Sequence, residues 1–127
     1  MQVKFTRTTD TKGMFGGKRV YCLNAILSVS DGERALLDRF DLWQASLWFL
    51  ADDYDPDLRN QLNKTLRDLS SGVRFECEDF NQVFALERHV VDACSQALRT
   101  AEARASFNGT DRVYEVTSKD HTFVTAD

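Results

Sequence analysis

The stretch from Arg19 to Val29 constrains the fold most, because its apolar residues recur at every second position. Five side chains fall on one face of an extended strand: Tyr21, Leu23, Ala25, Leu27 and Val29. A period of two is typical of a half-buried β-strand. Such a strand buries its apolar face against another layer of structure. The chain is therefore predicted to contain a sheet with at least one covered face.

A second strand is predicted immediately before this one. In QVKFTRT, Val3 and Phe5 lie on the same side of an extended chain. The segment KGMFGGKR, residues 12 to 19, separates the two strands and contains three glycines. Glycine is the usual turn residue because it adopts backbone conformations that other residues avoid. The pattern predicts an N-terminal β-hairpin over about residues 2–29.

Central helices are predicted within about residues 31–70. Ser30–Glu33 matches a capping box, and Asp55–Pro56 combines an N-cap residue with a proline in the first turn. Four leucines then repeat at helical spacing: Leu58, Leu62, Leu66 and Leu69. Residues 42–51 are ambiguous between helix and strand, and their aromatic content slightly favours a strand.

The remaining segments predict an α+β protein. We expect a strand at about 73–78, a long helix at about 80–106 and a C-terminal strand at about 111–118, with HTFVT as a short added edge. The predicted fold is one domain over residues 1–127. It has a mainly antiparallel or mixed sheet of about four to five strands, with two to three helices mostly on one face.

Composition points to an ordinary soluble protein of the cytoplasm. Hydrophobic residues make up 43% and charged residues 28% of the 127 residues. The longest apolar run, residues 47–51, is too short to span a bilayer, so no membrane partner is expected. The N-terminus lacks the apolar segment of a secretory signal. Three cysteines without a CxxC motif suggest reduced thiols.

The basic loop raises the alternative of a nucleic-acid-binding accessory protein. Residues 1–20 hold five basic residues and one acid, although the whole chain has a net charge of −4. The candidate contacts to a polyanion are Lys12, Phe15, Lys18 and Arg19. The loop is not a P-loop, because Arg19 stands where the metal-binding hydroxyl belongs. We favour a turn, with phosphate contact and aromatic stacking as the alternative.

Neither a metal site nor a catalytic constellation is predicted, and no cofactor is expected. The acidic segment 52–57 has aspartates at EF-hand spacing, but Leu58 and Lys64 replace the required glycine and glutamate. His89 and Cys94 lie about 140° apart on a helix, so they do not share an ion. We therefore favour a protein that is not an enzyme.

Glu87 breaks the pattern of the long helix. It falls near the middle of the apolar stripe, where a carboxylate is costly unless it is paired or hydrogen-bonded. We expect a buried carboxylate whose partner is an arginine such as Arg34 or Arg39, a tryptophan N–H or a tyrosine hydroxyl. The position is compatible with a structural role, a site or an interface.

The favoured function is protein–protein association by a small non-enzymatic protein, either with itself or with an unidentified protein partner. The segment from Trp43 to Tyr54 is rich in large apolar groups. Its candidate interface residues are Trp43, Trp48 and Phe49, and packing in the core is the alternative explanation for them.

Overall fold

The fold was analysed in a computed structural model that describes residues 1–13, 17–107, 111–118 and 121–125. In chain order, the elements are β1 (Gln2–Lys12), β2 (Lys18–Ser28), α1 (Asp31–Arg39), α2 (Leu47–Leu50), a 3₁₀ turn (Pro56–Leu58), α3 (Leu66–Ser71), β3 (Val73–Cys77), α4 (Phe80–Phe107), β4 (Arg112–Val116) and β5 (His121–Thr125). The predicted α+β class is confirmed.

The main sheet is antiparallel and has the strand order β1-β2-β3. β1 and β2 pair along their whole length, from Gln2 opposite Ser28 to Lys12 opposite Lys18, which confirms the predicted hairpin. Gly13 begins the connection with a φ of 117°, a conformation that favours glycine. β2 is thus the central strand, with β1 and β3 as the edges.

The core lies between one face of this sheet and the helices. The strands contribute Leu23, Ala25, Leu27, Phe75 and Cys77, and α4 contributes Val83, Leu86, Val90, Ala93, Cys94, Ala97 and Ala101. Phe75 is the largest of the fully buried side chains. The apolar stripes recognised in the sequence therefore meet as expected, because burial of both faces removes apolar surface from water. None of the described helices is both long and apolar enough to cross a membrane.

Residues 42–51, which the sequence left ambiguous with a slight preference for a strand, contain the short helix α2. The predicted leucine helix is wrong as a continuous element, because it is split into the 3₁₀ turn and α3. The break comes from Thr65, whose hydroxyl accepts a hydrogen bond from the N–H of Asp68 at 3.1 Å and starts a new helix. Just before it, the N–H of Leu47 donates to the carbonyl of Lys64 at 2.7 Å. This extended contact is incompatible with a continuous helix.

The C-terminal strand does not join the main sheet, which has three strands rather than four to five. β4 pairs instead with β5 in a separate two-stranded sheet. Between β3 and β4 lies the 28-residue helix α4, about 42 Å long. The large apolar side chains of β4 are accordingly exposed: Val113, Tyr114 and Val116. The alternation of apolar and polar residues predicted a strand at about 111–118, but it did not show which strand would pair with it.

The N-terminus of α1 offers a local test of stability. The Ser30 hydroxyl accepts a hydrogen bond from the N–H of Glu33 at 3.1 Å, as the capping box predicted. We expect Ser30→Ala to lower the free energy of unfolding by about 1 kcal/mol, because a helix N–H loses its acceptor. Urea denaturation measures the change. Ser28→Ala, at an exposed strand position, is the control and should stay within about 0.5 kcal/mol. Equal losses in both variants would contradict the role of the cap.

Candidate functional site

The outer edge of β1 is the longer of the two edges of the main sheet. Among the described strands, β1 pairs only with β2, and it is 11 residues long. The opposite edge, β3, has only five residues, and the Gln61 side-chain amide donates to the backbone carbonyl of Glu76 there. Unpaired backbone groups on a long edge strand are a template for adding another strand. The two edges therefore differ in their capacity to accept a partner.

The side chains of β1 divide between two environments. Odd-numbered residues face α4, as shown by Arg7, which bonds Glu87 on that helix. Even-numbered residues face the opposite side of the sheet, where Asp10 accepts a hydrogen bond from Arg74 at 3.2 Å. α4 covers only the face that carries the odd-numbered residues. Any strand added at this edge would meet α4 on one side and open surface on the other.

Glu87 and Arg7 form a bidentate ion pair between α4 and β1. Arg7 Nε lies 2.6 Å from Glu87 Oε1, and Arg7 Nη2 lies 2.6 Å from Oε2. Glu87 is 18% exposed and Arg7 is 56% exposed. The hydrogen bond to Glu87 raises the pKa of Arg7. Arg34 and Arg39, which were expected as partners, lie on α1 and do not form this ion pair. Arg7 was not expected, because the sequence pattern did not show that β1 runs beside α4.

A cleft of about 500 Å³ opens beside this ion pair. Its aromatic wall consists of Tyr21, Phe80 and Phe84, whose neighbouring rings meet edge to face at 6.0 Å. Phe80 is 52% exposed and Phe84 is 46% exposed. The Arg7 guanidinium lies 4.6 Å from the centre of the Phe84 ring. The cleft thus offers exposed aromatic surface directly next to the β1 edge.

The exposed apolar surface continues along α4. A second cleft is lined by Phe5, Phe84 and Val91 together with the polar residues Glu87, Arg88, Asp92 and Ser95. The lining of a third cleft includes Val3, Val91 and Leu98. Val91 is 50% exposed although it is a large apolar residue of α4. We call this surface the β1–α4 groove, defined by Val3, Phe5, Arg7, Thr9, Phe80, Phe84, Glu87, Val91 and Leu98. The three-stranded sheet leaves this side of α4 uncovered.

The aromatic residues proposed from the sequence as an interface lie in different environments. Trp43 is 4% exposed in the core, and its indole Nε1 has no hydrogen-bond partner among the described residues. Trp48 is half-buried and stacks on Phe49 with ring centres 3.6 Å apart. Phe49 is 69% exposed, and Arg59 lies 4.4 Å from the centre of the Trp48 ring. Trp43 is therefore part of the core, whereas Trp48 and Phe49 form a stacked and partly exposed aromatic pair.

The basic loop is only partly described. Phe15 and the side chain of Lys12 lie outside the described part of the chain. Lys18 forms an ion pair with Glu78 at 3.0 Å, and Arg19 is exposed. The charge of Lys18, one of the residues that suggested a polyanion site, is thus already paired with Glu78.

The buried histidine His89 was not predicted from the sequence. His89 is 2% exposed, and its Nε2 accepts a hydrogen bond from the backbone N–H of Asp55 at 3.0 Å. Burial, followed by the positive charge of Arg88, lowers the pKa of His89. Its spacing from Leu86 and Ala93 places it on the buried face of α4, a signal that the sequence contained.

Cys94 and the aspartates near α4 have structural surroundings in the described part of the chain. Burial raises the pKa of Cys94 to about 12, so its thiol stays protonated at neutral pH. No group of three potential metal ligands occurs among the described residues. The Asp55 side chain instead caps the 3₁₀ turn by accepting the N–H of Asp57 at 3.0 Å.

Comparisons with protein-family models, with curated proteins and with solved structures give no significant match for this chain.

Proposed function

We propose that this chain is a non-enzymatic protein that acts by associating with a second copy of itself through the β1–α4 groove. The observation that carries the proposal is the 11-residue outer edge of β1, directly beside half-exposed apolar residues of α4. Added strands gain backbone hydrogen bonds at such an edge, and neighbouring apolar side chains add burial. The groove supplies both contributions at one place.

The backbone of this edge is regular, although four of the 11 residues of β1 are charged: Lys4, Arg7, Asp10 and Lys12. β1 contains no proline, and its backbone pairs regularly along its entire length without a bulge. Threonine, which favours strands, occupies four of its positions: Thr6, Thr8, Thr9 and Thr11. Lys4 is the kind of charged residue that guards an edge strand, so a suitable partner should present an acid opposite it.

The apolar surface of α4 is the second support. Phe80, Phe84 and Val91 are each about half exposed on the side of α4 that borders β1. Stable interfaces between proteins bury roughly 1,200–2,000 Å² in total. Continuing the sheet across β1 would bring the helices of the two copies together over these residues. The interface would then combine backbone pairing with a helix layer.

Replacing Val91 by lysine tests this function. We expect wild-type protein to show a concentration-dependent dimer mass in sedimentation equilibrium. Val91→Lys should raise the dimer dissociation constant at least tenfold, because a charge would be buried in the apolar interface. Val91 is 50% exposed, so the monomer should still fold.

Phe49→Lys is the matched control, because Phe49 is 69% exposed and lies outside the groove. It should leave the dimer dissociation constant unchanged. The proposal fails if the wild-type protein remains monomeric up to about 1 mM, which corresponds to only about 4 kcal/mol of association free energy. It also fails if Phe49→Lys weakens the dimer as much as Val91→Lys does.

A further inference from the structure

We infer that the two copies pair β1 with β1 about a two-fold axis at Arg7, so that Lys4 of each copy lies opposite Asp10 of the other. This inference rests on the proposed self-association and specifies its register. In antiparallel pairing, residues directly opposite each other point to the same face of the sheet. Shifting the register by one residue would pair each buried side chain of one copy with an exposed side chain of the other. Only a few registers are therefore available.

The outer face of β1 distinguishes among these registers. With the axis at Arg7, Lys4 lies opposite Asp10 and Thr6 lies opposite Thr8, and both pairs occur twice. With the axis at Thr6, Lys4 lies opposite Thr8 and forms no ion pair. With the axis at Thr8, Lys4 lies opposite Lys12, which places like charges together. The register at Arg7 is the one that meets each Lys4 with an acid.

Asp10 is positioned to accept this contact. It is 55% exposed, and its carboxylate accepts hydrogen bonds from the N–H of Thr11 at 2.8 Å and from Arg74 at 3.2 Å. A carboxylate can accept several hydrogen bonds at the same time. The bond to Arg74 holds Asp10 on the outer face, where Lys4 of the second copy would arrive. Lys4 itself is exposed.

The inner face is compatible with the same register. Phe5 of the second copy would lie opposite Thr9, which lines the aromatic cleft together with Tyr21, Phe80 and Phe84. An aromatic side chain would thus reach the mouth of an aromatic cleft. At the axis the two Arg7 residues meet, but each already pairs with its own Glu87. The four charges sum to zero, so the axis carries no net repulsive charge.

Charge reversal tests the register. Lys4→Asp and Asp10→Lys should each raise the dimer dissociation constant at least tenfold, because each places like charges opposite each other twice. An equimolar mixture of the two variants should form a heterodimer, since every pair in it joins an acid to a base. The double variant should dimerise with itself for the same reason. Native mass spectrometry distinguishes all these species.

A disulfide test decides the register without changing these charges. In the proposed register, residue 6 lies opposite residue 8 of the second copy, and the native thiols are all buried. A mixture of Thr6→Cys and Thr8→Cys chains should therefore cross-link under mild oxidation, whereas Thr6→Cys alone should not. A wild-type monomer would refute the proposed function itself. A wild-type dimer without preferential heterodimers or mixed cross-links would refute only the register.

Discussion

Replacing Phe75 by alanine should lower the free energy of unfolding by about 3–5 kcal/mol. Phe75 is fully buried on β3, opposite Leu23 of the central strand. Truncation removes the apolar contacts of the ring and leaves a cavity that the surrounding core fills only partly. Since small domains are stable by roughly 5–15 kcal/mol, the variant should be close to unfolding. Urea denaturation monitored by circular dichroism measures the loss.

Phe107→Ala is the matched control for this experiment. Phe107 ends α4 and is 79% exposed, so the same truncation removes little buried surface there. We expect a change within about 0.5 kcal/mol. A loss below about 1 kcal/mol for Phe75→Ala would contradict the central position of this residue in the core. A large loss for Phe107→Ala would instead indicate that the end of α4 is buried in solution.

Lowering the pH from 7 towards 5 should destabilise the protein through His89. Burial, with the charge of Arg88, lowers the folded-state pKa of His89, although Asp53, Asp55 and Asp92 oppose this shift. The unfolded chain then binds a proton at a higher pH, near 6.5, than the folded chain does. The stabilisation is complete above that pH and is lost as the pH falls through the folded-state pKa. The slope cannot exceed about 1.4 kcal/mol per pH unit for one group.

The histidine variants separate this effect from other titrations. His89→Gln removes the titrating ring but keeps an oxygen that can accept the N–H of Asp55, so its stability should depend less on pH between 7 and 5. His121→Gln removes the other histidine of the chain and should retain the wild-type slope. Glu33 also has a lowered pKa, mainly through its hydrogen bond to the Ser30 backbone, but it titrates below this window. Equal slopes for wild type and His89→Gln would contradict the assignment.

Local patterns predicted those elements whose structure depends on near neighbours. The alternation in β2 and the glycines after β1 predicted the hairpin, and the Ser30–Glu33 capping box predicted the start of α1. The apolar stripe of α4 predicted its buried face, including Val90 and Ala97. These patterns depend on backbone geometry and on hydrogen bonds within about four residues, so they are readable from one chain.

The groove was not predictable in the same way. Glu87 was recognised as an unusual residue, but its partner Arg7 is 80 positions away and depends on how β1 lies against α4. The exposure of Phe84 and Val91 likewise depends on the width of the sheet, which the separate pairing of β4 reduces to three strands. Periodicity shows which residues share a face, but it does not show whether another element covers that face.

The sequence by itself determined the α+β class, the N-terminal hairpin and the long helix, because period, caps and turn residues act over short distances. Only the tertiary structure decided that Thr65 interrupts the leucine helix, that β4 leaves the main sheet and that Arg7 meets Glu87. Each of these depends on contacts between segments far apart in the chain. The free energy of such contacts depends on the packing of the whole molecule, and a local pattern does not contain it.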